Sequence, residues 1–166
     1  MAFGLMLLIQ CVHDGHNVST LPVYNSLAVF IVGAFYPYSR NHNGINWRDQ
    51  HPPALGELST ESARRTLTIR YKLLPTLYTL MYESHALGTT TVRSLMAEFQ
   101  SDRNARDNYD QFLWGGGFMI APILEENKES RGVYFPRGRW YDYHIEKLTF
   151  YTIFLNYIYI IIVMHV

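Results

Sequence analysis

Cysteine is almost absent from this chain, since Cys11 is the only one among its 166 residues. A disulfide needs two cysteines, so no disulfide within the chain can stabilise its fold. An excess of one charge is absent too, because 14 basic side chains are balanced by 14 acidic ones. This balance offers no electrostatic argument for nucleic-acid binding, and we expect no nucleic acid partner.

Apolar runs long enough to span a membrane are also lacking. Residues 150–164 come closest, but they fall short of the usual span of about 20 apolar residues. They include Thr152 and Asn156 and are rich in β-branched and aromatic types. Near the other end, no basic residue precedes the apolar stretch at residues 3–9 and no clear cleavage site follows it, so we expect neither a signal peptide nor a membrane partner.

Aromatic side chains are abundant at 15% of the residues, and one segment combines them with polar groups. Residues 33–43 read Gly-Ala-Phe-Tyr-Pro-Tyr-Ser-Arg-Asn-His-Asn. Sugar hydroxyls need directional hydrogen-bond partners, whereas the apolar C–H faces of a sugar rest on flat rings. A segment with rings, a guanidinium, amides and an imidazole therefore indicates a sugar-binding loop.

Three further motifs follow this loop. They are Ala63–Leu80, which contains Ile-Arg-Tyr-Lys-Leu-Leu-Pro, then Gln111–Gly115 and Tyr134–Asp142. Together with residues 33–43, and in this order, they resemble glycoside hydrolase family 31, the α-glucosidases. The resemblance covers residues 33 to about 143. A chance match to one motif would leave the other three unexplained.

The resemblance implies an α/β fold: the C-terminal part of a (β/α)8 barrel, from about strand 7 to helix 8, running into the start of an all-β sandwich. A complete barrel takes about 250 residues, so this chain cannot close one. We expect an unmatched segment at 1–32, barrel residues at 33–114, sandwich residues at 115–145 and an unmatched apolar tail at 146–166. The resemblance ends sharply at both flanks, and the flanks contain residues that AT-rich triplets encode. We therefore interpret them as translated non-coding sequence.

Local patterns predict one long helix in the family-like region. Apolar residues recur at helical spacing between Thr60 and Leu87, Ser59 and Thr60 suit the N-cap, and Gly88 suits the stop. Pro75 inside this helix should remove one backbone donor and kink it. An apolar stripe on the helix is predicted to be core: Leu73, Leu74, Leu77, Leu80 and Met81.

Strands are predicted after the helix. Thr91–Phe99 corresponds by resemblance to the eighth barrel strand, and Phe118–Leu124 is a second, buried strand. Val133–Pro136 and Arg139–Tyr143 suggest a hairpin with a Pro-Arg-Gly turn. A polar short helix or loop is expected between the first two strands.

The loop at residues 33–43 contains the candidate substrate-binding residues His42, Arg40 and Phe35. In the family, the histidine of the Ser-Arg-Asn-His-Asn motif hydrogen-bonds hydroxyls of the glucose in the first subsite, so the resemblance gives this role to His42. Without the resemblance, a histidine that braces the loop is the simpler interpretation. We expect Arg40 to hold the loop through hydrogen bonds to backbone carbonyls and only secondarily to contact ligand. We expect Phe35 to form part of the pocket wall or to pack in the barrel.

Catalytic groups of the family are missing from the sequence. Retaining glycosidases use two carboxylates about 5–5.5 Å apart, and the family takes both from strands that precede this segment. The nucleophile motif Trp-x-Asp-Met-Asn-Glu does not occur. Glu98 and Asp102 are the carboxylates best placed to replace the missing catalytic pair. A structural role, at a polar strand end or as a helix cap, explains Glu98 and Asp102 better. We therefore assign no catalytic residue.

The resemblance makes this chain a fragment of a retaining α-glucosidase-type hydrolase that is inactive alone. Its parent would act on α-glucoside oligosaccharides with no metal or organic cofactor, and the histidines show no metal-ligand spacing. Two alternatives stay open: a non-catalytic carbohydrate-binding remnant and a small tail-anchored membrane protein. The compartment is open as well, since family members occur in lysosomes, at cell surfaces, in the endoplasmic reticulum and in cytoplasm.

Overall fold

The computed structural model describes residues 32–40, 45–46, 49–124, 131–143, 148–149 and 160–165. The chain forms two compact units, residues 1–75 and 76–166. The expectation about a signal peptide at residues 3–9 lies outside the described residues. In chain order the elements are a 3₁₀ turn Pro52–Leu55, α1 Glu57–Leu87, β1 Val92–Ser94, α2 Leu95–Glu98, α3 Arg103–Arg106, β2 Phe112–Trp114, β3 Phe118–Pro122, β4 Trp140–Asp142, β5 Leu148–Thr149 and β6 Ile160–His165.

Helix α1 begins three residues earlier than its sequence pattern indicates. Its first residue follows Gly56, so Ser59 and Thr60 lie within the first turn. The Ser59 hydroxyl donates to the carbonyl of Leu55 at 3.5 Å, and the Thr60 hydroxyl donates to that of Gly56 at 3.0 Å. The prediction of these two residues as N-caps is therefore wrong, because a hydroxyl inside the first turn bonds back to the preceding turn.

The C-terminal end of α1 lies at Leu87, as predicted. Gly88 has a φ of 72°, in the left-handed region, and its N–H donates to the carbonyl of Ser84 at 3.1 Å. Glycine suits this helix end because, without a Cβ, it adopts the left-handed conformation at no steric cost. Pro75 lies inside α1, and a kink there stays a prediction.

The buried face of α1 differs from the predicted leucine stripe. Leu73 and Leu77 are 5% and 3% exposed, whereas Leu74 and Met81 are 38% and 43% exposed. The prediction is wrong for the exposed pair, because apolar residues extend round more of α1 than its neighbours cover. The buried positions share one face of α1, and toward the N-terminal end they are small: Ser59, Ser62, Ala63, Thr66, Leu73 and Leu77.

The second unit contains an antiparallel sheet with the strand order β1-β2-β3-β6-β4-β5. Leu113 of β2 pairs with Met119 of β3, and Ile120 of β3 pairs with Ile162 of β6. Every residue of β3 is buried. This confirms the buried strand predicted there, which ends two residues earlier than expected.

Part of the expected apolar tail lies inside this sheet. Residues 160–165 form β6, which pairs with both β3 and β4. Residues 160–164 thus form a strand, and nothing in the described residues supports the tail-anchor alternative. The interpretation of this flank as non-coding sequence did not anticipate the pairing. Within the described ranges, no helix combines the length and apolar composition that a membrane crossing requires.

The strand predicted at Thr91–Phe99 is much shorter in the structure. It ends at Ser94, whose side chain accepts a hydrogen bond from the N–H of Ala97 at 3.3 Å and so caps α2. The chain turns into a helix here because a serine in extended conformation is a good N-cap. β1 also pairs antiparallel with β2, whereas neighbouring strands of a (β/α)8 barrel are parallel.

The hairpin predicted around Pro136 is wrong. Residues 133–136 form no strand, and β4 pairs with β5 and β6 instead. The backbone of Tyr134 is bound by one buried side chain: its N–H donates to Oε1 of Gln111 at 2.9 Å, and its carbonyl accepts from Nε2 of Gln111 at 2.8 Å. The amide of Gln111 thus replaces a neighbouring strand.

Trp140 lies at the centre of the core of the second unit. Its ring is 6.2 Å from that of Phe99 and 5.8 Å from that of Phe135, measured between centroids. Its indole N–H donates to the carbonyl of Pro136 at 2.8 Å, so the polar atom is satisfied although the side chain is buried. The buried residues of this core are Leu95, Ala105, Leu113, Met119, Ala121, Val133 and Trp140.

Gly115, which begins the turn between β2 and β3, supplies a test of this packing. Its φ is 58°, and a Cβ there would lie 2.6 Å from Cδ2 of Leu80. We expect Gly115→Ala to lower the free energy of unfolding by about 1–2 kcal/mol, through backbone strain and the shift of Leu80. Urea denaturation measures this change.

Gly132→Ala is the matched control, because a Cβ added at Gly132 would meet no atom within 4 Å and the φ of this residue is outside the left-handed region. Its effect should stay within about 0.5 kcal/mol. Equal stabilities for the two variants would contradict the turn geometry.

Candidate functional site

The candidate sugar-binding loop is described from Gly33 to Arg40, and we call this segment the 33–40 loop. It opens with a turn in which the N–H of Phe35 donates to the carbonyl of Val32 at 3.0 Å. The N–H of Tyr36 donates to the carbonyl of Gly33 at 3.2 Å. The role expected for His42 lies outside the described residues.

Arg70 of α1 binds the backbone of the 33–40 loop. Its Nη1 donates to the carbonyls of Ala34 and Tyr36, the latter at 2.7 Å, and its Nη2 donates to the carbonyl of Pro37 at 2.9 Å. Burial lowers the pKa of Arg70 from its usual value. An arginine pKa starts far above neutrality, so the side chain stays charged and keeps all its donors.

Side chains of the 33–40 loop point to two different environments. Phe35 is completely buried, and Tyr36 is half-buried, which raises the pKa of its phenol. Tyr38 is 46% exposed, and Arg40 is exposed as well. The loop is therefore anchored at its start and presents a flat ring and a guanidinium near its end, groups that suit the apolar face and the hydroxyls of a sugar.

The two carboxylates considered as catalytic substitutes both have partners within the second unit. Glu98 forms an ion pair with Arg93. Asp102 caps α3 by accepting from the N–H of Asn104 at 3.0 Å, and it accepts from the Tyr134 hydroxyl at 2.7 Å. The hydrogen bond from Tyr134 lowers the pKa of Asp102, which disfavours a role as general acid. These contacts favour the structural interpretation of both residues.

In the part of the chain that the structure describes, no three His, Cys, Asp or Glu side chains are grouped so that they could hold a metal ion.

Two family models match this chain, one after the other. The glycosyl hydrolases family 31 TIM-barrel domain matches residues 29–80, and the glycosyl hydrolase family 31 C-terminal domain matches residues 88–159. Together the matches cover more than half of the chain. The chain belongs to glycoside hydrolase family 31. The resemblance drawn from the four motifs is thereby confirmed, and the long helix and the sheet fit an α/β fragment of this family.

Relatives in family 31 are much longer than this chain. Human intestinal sucrase-isomaltase is 48% identical over 116 residues, which are 70% of this chain and 6% of that protein. Lysosomal alpha-glucosidase of Bos taurus is 43% identical over 111 residues, 67% of this chain and 12% of that protein. A family 31 dextranase of Flavobacterium johnsoniae, solved with glucose, has a TM-score of 0.74 at 28% identity and covers 84% of this chain and 18% of its own. The chain thus spans a small part of each relative.

The structure describes two of the three residues predicted from the sequence to bind substrate. Phe35 is buried and Arg40 is exposed, while His42 lies outside the described residues. Arg70 was missed, because its role depends on a contact with residues more than 30 positions earlier. One signal could have found it: Arg70 lies at helical spacing from the buried positions Thr66 and Leu73, where a charged side chain needs a partner.

The hydrogen bond between Tyr134 and Asp102 can be tested, and with it the structural role assigned to Asp102. We expect Tyr134→Phe to raise the pKa of Asp102 toward its ordinary value, because the phenolic donor that stabilises the carboxylate is removed. The carboxyl carbon resonance of Asp102, followed by NMR against pH, measures this change.

The same bond predicts a pH dependence of stability. A lowered pKa in the folded state stabilises the protein above the unfolded pKa, and this contribution is lost as the pH falls through the folded pKa, below about pH 4. Tyr134→Phe should reduce that loss, whereas Tyr109→Phe, at a side chain that is 96% exposed, should not change it. An unchanged titration of Asp102 in Tyr134→Phe would contradict the assigned bond.

Proposed function

We propose that this chain is a segment of a retaining α-glucosidase-type hydrolase of family 31, and that residues 33–43 bind a glucose unit of an α-glucoside oligosaccharide. The observation that supports this role is the division of the 33–40 loop, with Phe35 buried and the Tyr38 and Arg40 side chains exposed. The loop belongs to the segment matched to the TIM-barrel domain of the family.

The chemistry of the loop fits one sugar ring better than an extended chain. Tyr38 offers one flat ring for a C–H face, and Arg40 offers donors but no acceptor. A glucose unit also needs an acceptor or a neutral donor for its remaining hydroxyls, and the imidazole of His42 can supply either. We therefore assign the hydroxyl contacts to His42 and Arg40. We assign to Phe35 the support of the loop from the protein interior.

The proposal assigns no bond cleavage to these 166 residues. Cleavage with retention takes a carboxylate nucleophile and a carboxylic acid about 5–5.5 Å apart. Glu98 is paired with Arg93, and the hydrogen bond from Tyr134 lowers the pKa of Asp102. The hydrolysis of O-glycosyl bonds is thus a property of the whole enzyme, to which this segment contributes substrate binding.

The boundary between the barrel part and the β-sandwich part of the chain is also a proposal. We place residues 33–114 in the C-terminal part of the barrel and residues 115–145 at the start of the β-sandwich. This division near residue 115 stays a prediction.

Binding and cleavage can be measured separately on the chain as it stands. We expect maltose to bind saturably in a calorimetric titration, while 4-nitrophenyl α-glucoside releases no nitrophenol. His42→Ala should weaken maltose binding by at least about tenfold, since one lost hydrogen bond in a desolvated site has that effect on an equilibrium constant.

His51→Ala is the matched control, because it removes an exposed histidine nine positions away in the sequence and should leave the affinity unchanged. Absence of any maltose binding would contradict the binding role. Release of nitrophenol that disappears in Asp102→Asn or Glu98→Gln would contradict the assignment of cleavage to the whole enzyme.

A further inference from the structure

We infer that Arg70 is a positioning residue for the sugar-binding loop: its guanidinium fixes the backbone of the 33–40 loop in the shape that presents Tyr38 and Arg40 outward. The inference rests on the proposed function, because it names the group that holds the proposed binding loop in place. Arg70 itself is on helix α1 and follows Tyr36 by 34 residues.

Three carbonyls of the loop converge on this one side chain. The turn N–H groups use the carbonyls of Val32 and Gly33. The guanidinium of Arg70 binds three of the carbonyls that follow, those of Ala34, Tyr36 and Pro37. A partly buried carbonyl without a donor costs free energy, so these three bonds favour one path of the chain over others.

Arginine suits this task better than any other side chain. The guanidinium is planar and has five donors in a fixed fork, so its two terminal nitrogens can bind carbonyls that lie in different directions. A lysine has its donors on a single nitrogen and cannot cover the same span. The partners described for Arg70 are neutral carbonyls, and its bonds to them are charge-assisted, which strengthens each bond.

The bond to Pro37 links this contact to the exposed end of the loop. Proline fixes its own φ, and binding its carbonyl also sets the direction in which the chain continues. Tyr38 and Arg40 follow within three residues, so a change in the orientation of this peptide moves both side chains. Phe35, buried at the other end of the loop, fixes its start.

Three variants of the chain test the inference. Arg70→Ala removes all the bonds, and Arg70→Lys keeps the charge but not the fork. Arg65→Ala is the matched control, because Arg65 is on the same helix, is 75% exposed and pairs with Glu61. Hydrogen exchange at the amides of Phe35 and Tyr36 reports on the loop, and calorimetric titration with maltose reports on binding.

We expect the loop amides in Arg70→Ala to exchange about tenfold faster or more, and maltose affinity to fall by a similar factor, because at least one charge-assisted bond is lost. Exchange in the α1 and β3 backbone should stay as in the unchanged chain. Arg70→Lys should restore part of both effects, and Arg65→Ala should show neither. A purely stabilising role would raise exchange throughout the fold instead.

Exchange at Phe35 and Tyr36 that is unchanged in Arg70→Ala would overturn the inference. So would an Arg70→Lys variant that matches the unchanged chain in both measurements, since the fork would then be dispensable. If Arg70→Ala fails to fold, the Arg70→Lys result decides alone. If the unchanged chain binds no maltose, the proposed function fails, and the exchange measurement still tests whether Arg70 holds the loop.

Discussion

The guanidinium of Arg70 binds the carbonyls of Ala34, Tyr36 and Pro37, which lie outside any helix or strand. Irregular backbone must find hydrogen-bond partners when it is partly buried, and here one side chain of a regular helix supplies them. The loop can therefore be irregular enough to expose Tyr38 and Arg40 while keeping a defined path. The proposed sugar contacts depend on this arrangement, because a loop without it would have no single shape to offer a ligand.

The same constraint recurs in the second unit with other side chains. The buried amide of Gln111 binds both backbone groups of Tyr134, and Arg131 donates to the carbonyls of Asp110 and Pro122, each at 2.9 Å. These segments would otherwise leave polar backbone atoms unsatisfied next to the core around Trp140. Side chains with several donors or acceptors thus hold the connections, while the antiparallel sheet satisfies its own backbone.

Local sequence patterns succeeded where the deciding contacts are also local. The end of α1 follows from Gly88, and the buried strand β3 follows from its apolar run, because each depends on a few neighbouring residues. The start of α1 failed, since a serine or threonine hydroxyl can cap a helix or bond back within it, and residue type does not distinguish the two. The hairpin at residues 133–136 failed because its backbone partner is Gln111, more than 20 positions earlier.

By itself, the sequence determined the family, since the family depends on which residue types occur and in what order. Tertiary structure alone decided that Arg70 holds the loop, that Asp102 is bound by Tyr134, and that residues 160–165 are a strand inside the sheet. The physical reason is distance along the chain. Each of these contacts joins residues more than 20 positions apart, and no local pattern encodes which of many possible partners will meet.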